Sequence, residues 1–480
     1  MSVLTSLMRA RAVRRGRALP VATVRHLHLS PRPLVFVPLR LAGEAAAPLG
    51  AMVGADPADP RLLVVPQPRN RELRFAFMAE LAEVVLTYLD GFGAEPAGGE
   101  RFADAPQILV PNPKGIAFIR LLGRSTRFRR PDGPYPVPPS VPRLGTWLTF
   151  LAERGEHAGS SLLVALTQAL GAHWATGQSA VEDGNLAAQL GWIDPPPGLT
   201  GPEAADAAED PLRTPPAGPD TDPGFDRLVL ERSIAAYDES GSPGQVRAAL
   251  RTQLEPTWAS MWQAVELLRR LPDAGSVAGR WERDRTAFTR EYRRLAEGGA
   301  PQGRRDGAVG AAHRLARLEA AQQEFAAQCA FDDPLAMVEH LLSGKAFRGT
   351  VVEVDAARRI VPPGGKRASC RPLVVVEAAD PVLIPPGKTV RSPRRPRQRA
   401  EILRIEGNRV TLQLLDGMGR AAVPEPGSVP EHGQSVCYAD LDLGGGRRPP
   451  LPALEETPWT HGGPPAEYVP TDDDALEAWS

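Results

Sequence analysis

Three segments of this 480-residue chain concentrate side chains that could do chemistry, and the chemistry is that of guanidinium groups. KTVRSPRRPRQR places Lys388, Arg391, Arg394, Arg395, Arg397 and Arg399 within twelve residues. Arginine pairs bidentately with phosphate oxygens, and interleaved prolines keep such a segment extended, which limits the entropy lost on binding. GRSTRFRRP sets Phe128 among Arg124, Arg127, Arg129 and Arg130, an aromatic that could stack on a base beside cations for its phosphate. PQPRNRELRF puts Arg69 and Arg71 at the mouth of a predicted helix, where unpaired amides favour an anion. Each segment also has a plain reading: a solvated basic loop, a packing phenylalanine, arginines beside a helix cap.

Other chemistry finds no support. IPPGKT, residues 384–389, lacks the first glycine of a phosphate-binding loop, and Pro385 and Pro386 remove amides that would cradle phosphates. It reads as a turn. His26 and His28 would share a face of a strand, but no nearby acid or cysteine completes a metal site. There is no HExxH, no GxSxG and no carboxylate–x–Lys pair. Cys329, Cys370 and Cys437 are too far apart for a thiolate zinc site or a disulfide framework. No catalytic residue, metal or cofactor is therefore nominated.

Charge segregates along the chain. The formal net charge is −1, yet residues 1–43 carry eight arginines and no acid, and residues 357–399 carry a net +9. Residues 194–224 carry −6, and residues 449–480 hold seven acids and no Lys or Arg. Such asymmetry suits a nucleic-acid partner or an internal acidic cover. Of 56 basic residues only Lys114, Lys345, Lys366 and Lys388 are lysines, as a GC-rich genome would produce. No apolar run reaches the roughly 18 residues of a membrane span, and the start lacks a secretory apolar core, so a cytoplasmic location is expected.

The elements that must position these groups follow from periodicity. Residues 31–41, 61–66, 107–110 and 115–122 read as strands, and 70–90 as an amphipathic helix capped by Asn70. Residues 144–155, 160–175 and 180–191 read as helices, and 194–224, with nine prolines, as a linker without enough apolar surface to order. Helical patterns fill 225–342; those at 276–297 and 308–329 suggest an exposed antiparallel hairpin. Asp333-Pro334 opens the last helix. Beyond Gly349 five period-two runs indicate strands, with Gly407-Asn408 as a hairpin turn.

The fold class expected is multidomain α+β: an N-terminal small α/β domain, a helical middle with a long helical hairpin, and a C-terminal small β-barrel of OB or SH3-like type. The divisions are a basic arm (1–30), the small domain (31–130), a helical segment (144–193), an acidic Pro-rich linker (194–224), a helical domain (225–345), the barrel with its basic loop (346–445) and an acidic Pro-rich tail (446–480). In order and shape, residues 276–443 resemble the stalk-and-barrel insertion of superfamily 1B helicases; no helicase motif accompanies it and no residue is carried over. The expected function is a non-enzymatic nucleic-acid-associated accessory protein. DNA or RNA would lie on the barrel's arginines, and a separate motor or nuclease protein would dock on the helical middle. The alternative is a protein-interaction scaffold whose basic loop pairs with acidic segments. An enzyme with dispersed catalytic residues comes third.

Overall fold

The computed structural model describes residues 3–93, 101–211, 214–303, 306–361, 368–419, 421 and 423–444; the expected tail lies outside them. The protein is mixed α+β, with a five-stranded sheet near its N-terminus and a closed six-stranded antiparallel barrel in its C-terminal region.

The basic arm forms helix α1 (Val3–Arg15), whose Ala12 is buried. Strands β1 (Leu34–Arg40), β2 (Pro48–Gly54) and β3 (Arg61–Val64) make an antiparallel meander. Helix α2 (Arg71–Asp90) follows, and the Asn70 side chain accepts from the Glu72 and Leu73 amides. Strand β4 (Ile108–Val110) then lies parallel to β1. Residues 115–122, expected as a strand, belong to helix α3 (Pro113–Thr126), because Asn112 caps the Gly115 amide and Pro113 takes a first-turn place where no amide is needed. Helix α4 (Ser140–Gly155) precedes β5 (Leu163–Ala165), which joins the sheet parallel to β4. The expected helix at 160–175 is therefore this strand followed by a short helix, α5 (Leu166–Gly171). A short apolar run such as LLVAL fits a buried strand as well as a helix.

The sheet order is β3-β2-β1-β4-β5, so its fifth strand comes from beyond residue 130. Both faces are covered, which explains the unbroken apolar run of β1. Leu34 and Phe36 face the core made with α2, α3 and α4. Val35, Val37 and Leu39 face α6 (Leu186–Ile193) and the long α9, introduced below.

The acidic 194–224 stretch, expected as a linker, is pinned to this unit in its described part. Thr200 and Glu203 form a capping box for α7 (Gly201–Glu209). Pro219 O accepts from the Arg40 amide at 2.6 Å, and the Asn112 amide donates to Gly218 O at 2.9 Å, so the segment continues the pairing of β1 past the end of β4. Helices α8 (Glu231–Ser240) and α9 (Gly244–Arg269) follow; α9 runs on through Pro256.

Helices α10 (Val277–Ala296) and α11 (Ala308–Asp332) do run antiparallel, linked by Arg280–Gln328 and Arg283–Glu324 at 2.7 Å each. Only one of the two is exposed along its length: α11 has no buried side chain among its described residues before Ala327. Trp281 and Phe288 of α10 are buried in the core over the sheet. Asp333, fully buried, caps α12 (Pro334–Leu342) and accepts from the Thr23 amide at 2.7 Å, tying the chain's start to the approach to the barrel.

The barrel comprises β6 (Ala346–Asp355), β7 (Leu373–Ala378), β8 (Thr389–Ser392), β9 (Arg395–Glu406), β10 (Arg409–Leu414) and β11 (Ser435–Ala439). Its order is β7-β10-β9-β8-β11-β6, with β6 pairing back to β7. Val351, Val374, Val376, Ile402 and Leu412 fill it. Gly407 has φ +62, the left-handed residue a tight β9–β10 hairpin requires. The strand beyond the five expected is β8, which together with the first half of β9 is the arginine-rich segment itself. Pro393 falls between the two strands and Pro396 lies within the irregularity in their register, so the prolines that hide the strand pattern sit where a hairpin tolerates them.

Candidate functional site

The β8–β9 hairpin sets the spacing of its cations. Pairing places Arg391 directly opposite Arg399. The Arg399 charge is met by Asp416, with Nε to Oδ2 at 2.6 Å and the Arg399 amide donating to Oδ1 at 2.8 Å. Arg391 donates only weakly, to the carbonyls of Pro396 and Arg397 at 3.4 Å, and Arg395 to Gly417 O at 3.3 Å. Gln398, buried between them, holds the hairpin to the barrel by donating to Ser428 O at 2.9 Å. Among the described residues no carboxylate pairs with Arg391, Arg395 or Arg397.

Those three arginines line one wall of an open cleft of about 1090 Å³. The opposite wall is the α10–α11 pair, presenting Ser276, Arg283, Glu324, Gln328 and Asp332. Two of the cleft's carboxylates have partners on the spot, Glu324 with Arg283 and Asp416 with Arg399. Asp332 accepts from the Ser276 amide at 2.9 Å and from its hydroxyl. The barrel wall thus holds the unpaired cations. Lys388 and Arg394 are exposed but do not line the cleft.

The other nominated groups sit elsewhere. Arg127 is 3 % exposed; its Nε donates to Gln302 O at 2.8 Å and its Nη2 to Gly303 O at 3.1 Å. Its guanidinium also lies 4.7 Å from the Phe128 ring, so that ring already has a cation on it. Arg129 donates to Ser125 O at 3.2 Å, Arg130 pairs with Asp132 at 3.7 Å, and Arg124 is exposed on the last turn of α3. Arg69 pairs with Glu44 at 2.6 Å, a contact that raises its pKa above the ordinary arginine value. Arg71 pairs with Glu72 at 2.6 Å and stacks on Phe75. These two occupy the helix mouth with carboxylates of the chain itself.

The histidines that share a face in sequence part company in space. His26 approaches Asp333 at 3.4 Å, whereas His28 stacks on Trp281 with ring centres 3.8 Å apart. No group of three His, Cys, Asp or Glu side chains among the described residues could hold a metal ion. No described helix is long and apolar enough to cross a membrane. The sequence reading missed the helical wall, since Arg283, Glu324 and Asp332 lie in mixed-charge runs with no spacing to set them apart. No family model matches the chain, and neither a curated protein nor a solved structure matches it.

Proposed function

We propose that this is a non-enzymatic nucleic-acid-associated accessory protein that holds a phosphate backbone along the barrel wall of the cleft. One observation carries the reading: Arg391, Arg395 and Arg397 share that wall and have no carboxylate partner among the described residues. A backbone of phosphates at regular spacing suits a row of guanidinium groups on a hairpin. Docking of a motor or nuclease protein would fall to the outer face of α11, where Leu315 is exposed, because α10 is buried against the sheet.

The scaffold reading keeps one specific support. Four arginines against three carboxylates leave the cleft lining only slightly positive, which would also suit a polypeptide carrying both charges. Fluorescence anisotropy of the full chain with labelled single-stranded and duplex DNA and RNA separates the two. At about 50 mM salt binding is expected, and raising salt to about 200 mM should weaken it roughly 20- to 40-fold if three phosphates are neutralised. Replacing Arg391, Arg395 and Arg397 together by alanine should remove most of the binding. No binding at low salt, or binding indifferent to salt, sinks the nucleic-acid reading.

A further inference from the structure

Beyond the Arg283–Glu324 pair lies a second, smaller cavity of about 270 Å³, and that ion pair lines both spaces. Its other walls are Arg154 at the end of α4, His157 and Gly159 in the following loop, Arg280 of α10, and Arg317 of α11. We infer that this cavity is a phosphate-monoester site taking the terminal phosphate of a strand that lies in the cleft, an assignment that rests on the nucleic-acid reading above.

The cavity is built around a buried cation whose bonds go to neutral groups. Arg280 is 4 % exposed. Its Nη1 donates to Gln328 Oε1 at 2.7 Å and to the Ser276 hydroxyl, and its Nη2 donates to His26 O at 2.7 Å. Its Nε–H is buried without a partner among the described residues. Asp332 and Asp284 lie near enough to favour its charge, and its guanidinium sits 5.0 Å from the Phe325 ring, but none of them accepts from Nε, and a buried donor left over is costly until an acceptor completes it. Gly159, held at φ +79, packs against this donor: a Cβ there would stand 2.6 Å from Arg280 Cδ, 2.9 Å from Phe325 Cδ2 and 3.2 Å from Arg280 Nε, so a larger residue would crowd it. Arg154 has a second buried Nε–H without a partner among the described residues, its Nη2 being engaged by Asp284 at 2.7 Å.

Charge and size select the ligand. Arg154, Arg280, Arg283 and Arg317 face Asp284 and Glu324, a net +2. Asp284 is already used by Arg154, the Ser160 hydroxyl at 2.9 Å and the Ser161 amide at 2.7 Å. His157 stays neutral at pH 7, because burial and then the charges of Arg154 and Arg317 lower its pKa. A phosphate monoester carries about −1.5 to −2 near neutral pH and so matches the excess, whereas a mid-strand phosphodiester carries one charge. The space holds a phosphate group with several waters, each needing about 30 Å³, but not a whole nucleotide beside them. Guanidinium is the cation suited to such an oxyanion.

The test uses the full chain and one single-stranded oligonucleotide made with a 5′-phosphate, a 3′-phosphate or hydroxyls at both ends. Inorganic phosphate serves as a separate probe, read by ³¹P line broadening. One phosphorylated end is expected to bind about tenfold tighter than the hydroxyl form, about 1.4 kcal/mol. Arg317→Gln, an exposed change that spares the core, should abolish that preference and the broadening while leaving hydroxyl-strand affinity unchanged. Equal affinity for all three strands overturns the inference and leaves the cleft reading standing. If no strand binds, but inorganic phosphate binds and R317Q releases it, the strand end is the wrong source and the cleft reading fails with it. If R317Q binds inorganic phosphate as well as wild type does, the cavity is not the site.

Discussion

Two arginine-rich segments of this chain look alike in sequence and meet opposite fates in the fold. Around Arg127, in the layered N-terminal region, the loop at Gln302 and Gly303 brings carbonyls from about 175 positions away to take up the guanidinium. On the barrel hairpin, Arg391 and Arg395 find, among the described residues, only long contacts to carbonyls of the barrel, and Arg397 stays exposed. A basic run is thus available or committed according to which distant backbone reaches it. Its own composition says little.

The largest expected contrast is in stability. Arg127→Ala removes a buried charge and its carbonyl bonds and should cost about 3 kcal/mol, whereas Arg391→Ala should cost less than about 0.5 kcal/mol. Gly145→Ala should act on the same place as Arg127→Ala, because a Cβ at 145 would stand 2.5 Å from the Arg127 amide nitrogen. Denaturant unfolding of the three variants checks this; equal losses at Arg127 and Arg391 would erase the difference between the two segments.

Acid should separate the same two regions. His173, 1 % exposed, donates from Nδ1 to Ala169 O at 2.6 Å and accepts the His26 amide at Nε2, which is possible only for the neutral ring. Burial pushes its pKa down to about 4 from 6.5. The folded-state pKa lies below the unfolded one, so the stabilisation is complete above pH 6.5 and is lost as pH falls toward 4. The loss from this residue should reach about 3 kcal/mol, with His26 and His28, also lowered chiefly by burial, adding to it. The barrel's histidine, His432, is exposed. Hydrogen exchange at pH 4 should therefore show the sheet region opening before the barrel, and the reverse order would refute the assignment.

The smallest effects belong to exposed pairs. Arg399→Ala breaks a contact with Asp416 in which both side chains are a third or more exposed, and Arg69→Ala breaks one with Glu44 of the same kind. Each should change stability by under about 1 kcal/mol, less at high salt. Thermal unfolding at low and high salt measures it.

Much of the fold was legible locally. Asn70 and Asp333 mark helix starts because a side-chain oxygen two or three residues ahead of an amide is a local contact. Gly407-Asn408 marks a hairpin for the same reason. Where short range gave two answers, the reading failed. LLVAL chose the strand because β4 lies beside it, and 214–221 ordered because the edge of β1 beyond β4 needed partners. Arg391, Arg395 and Arg397 are close in sequence and so come together on one hairpin, but their opposite wall, with Arg283 and Glu324, was not legible at all.

The sequence by itself determined the caps, the Gly407 turn, the alternating barrel strands and the scarcity of lysine, all matters of composition or of residues a few positions apart. Tertiary structure alone decided that Arg127 is committed, that Arg391, Arg395 and Arg397 face a cleft, and that Arg280 keeps a buried donor without a partner among the described residues. The free energy of a charge is set by how much water it loses and which acceptors replace that water. Chain segments hundreds of residues apart supply both.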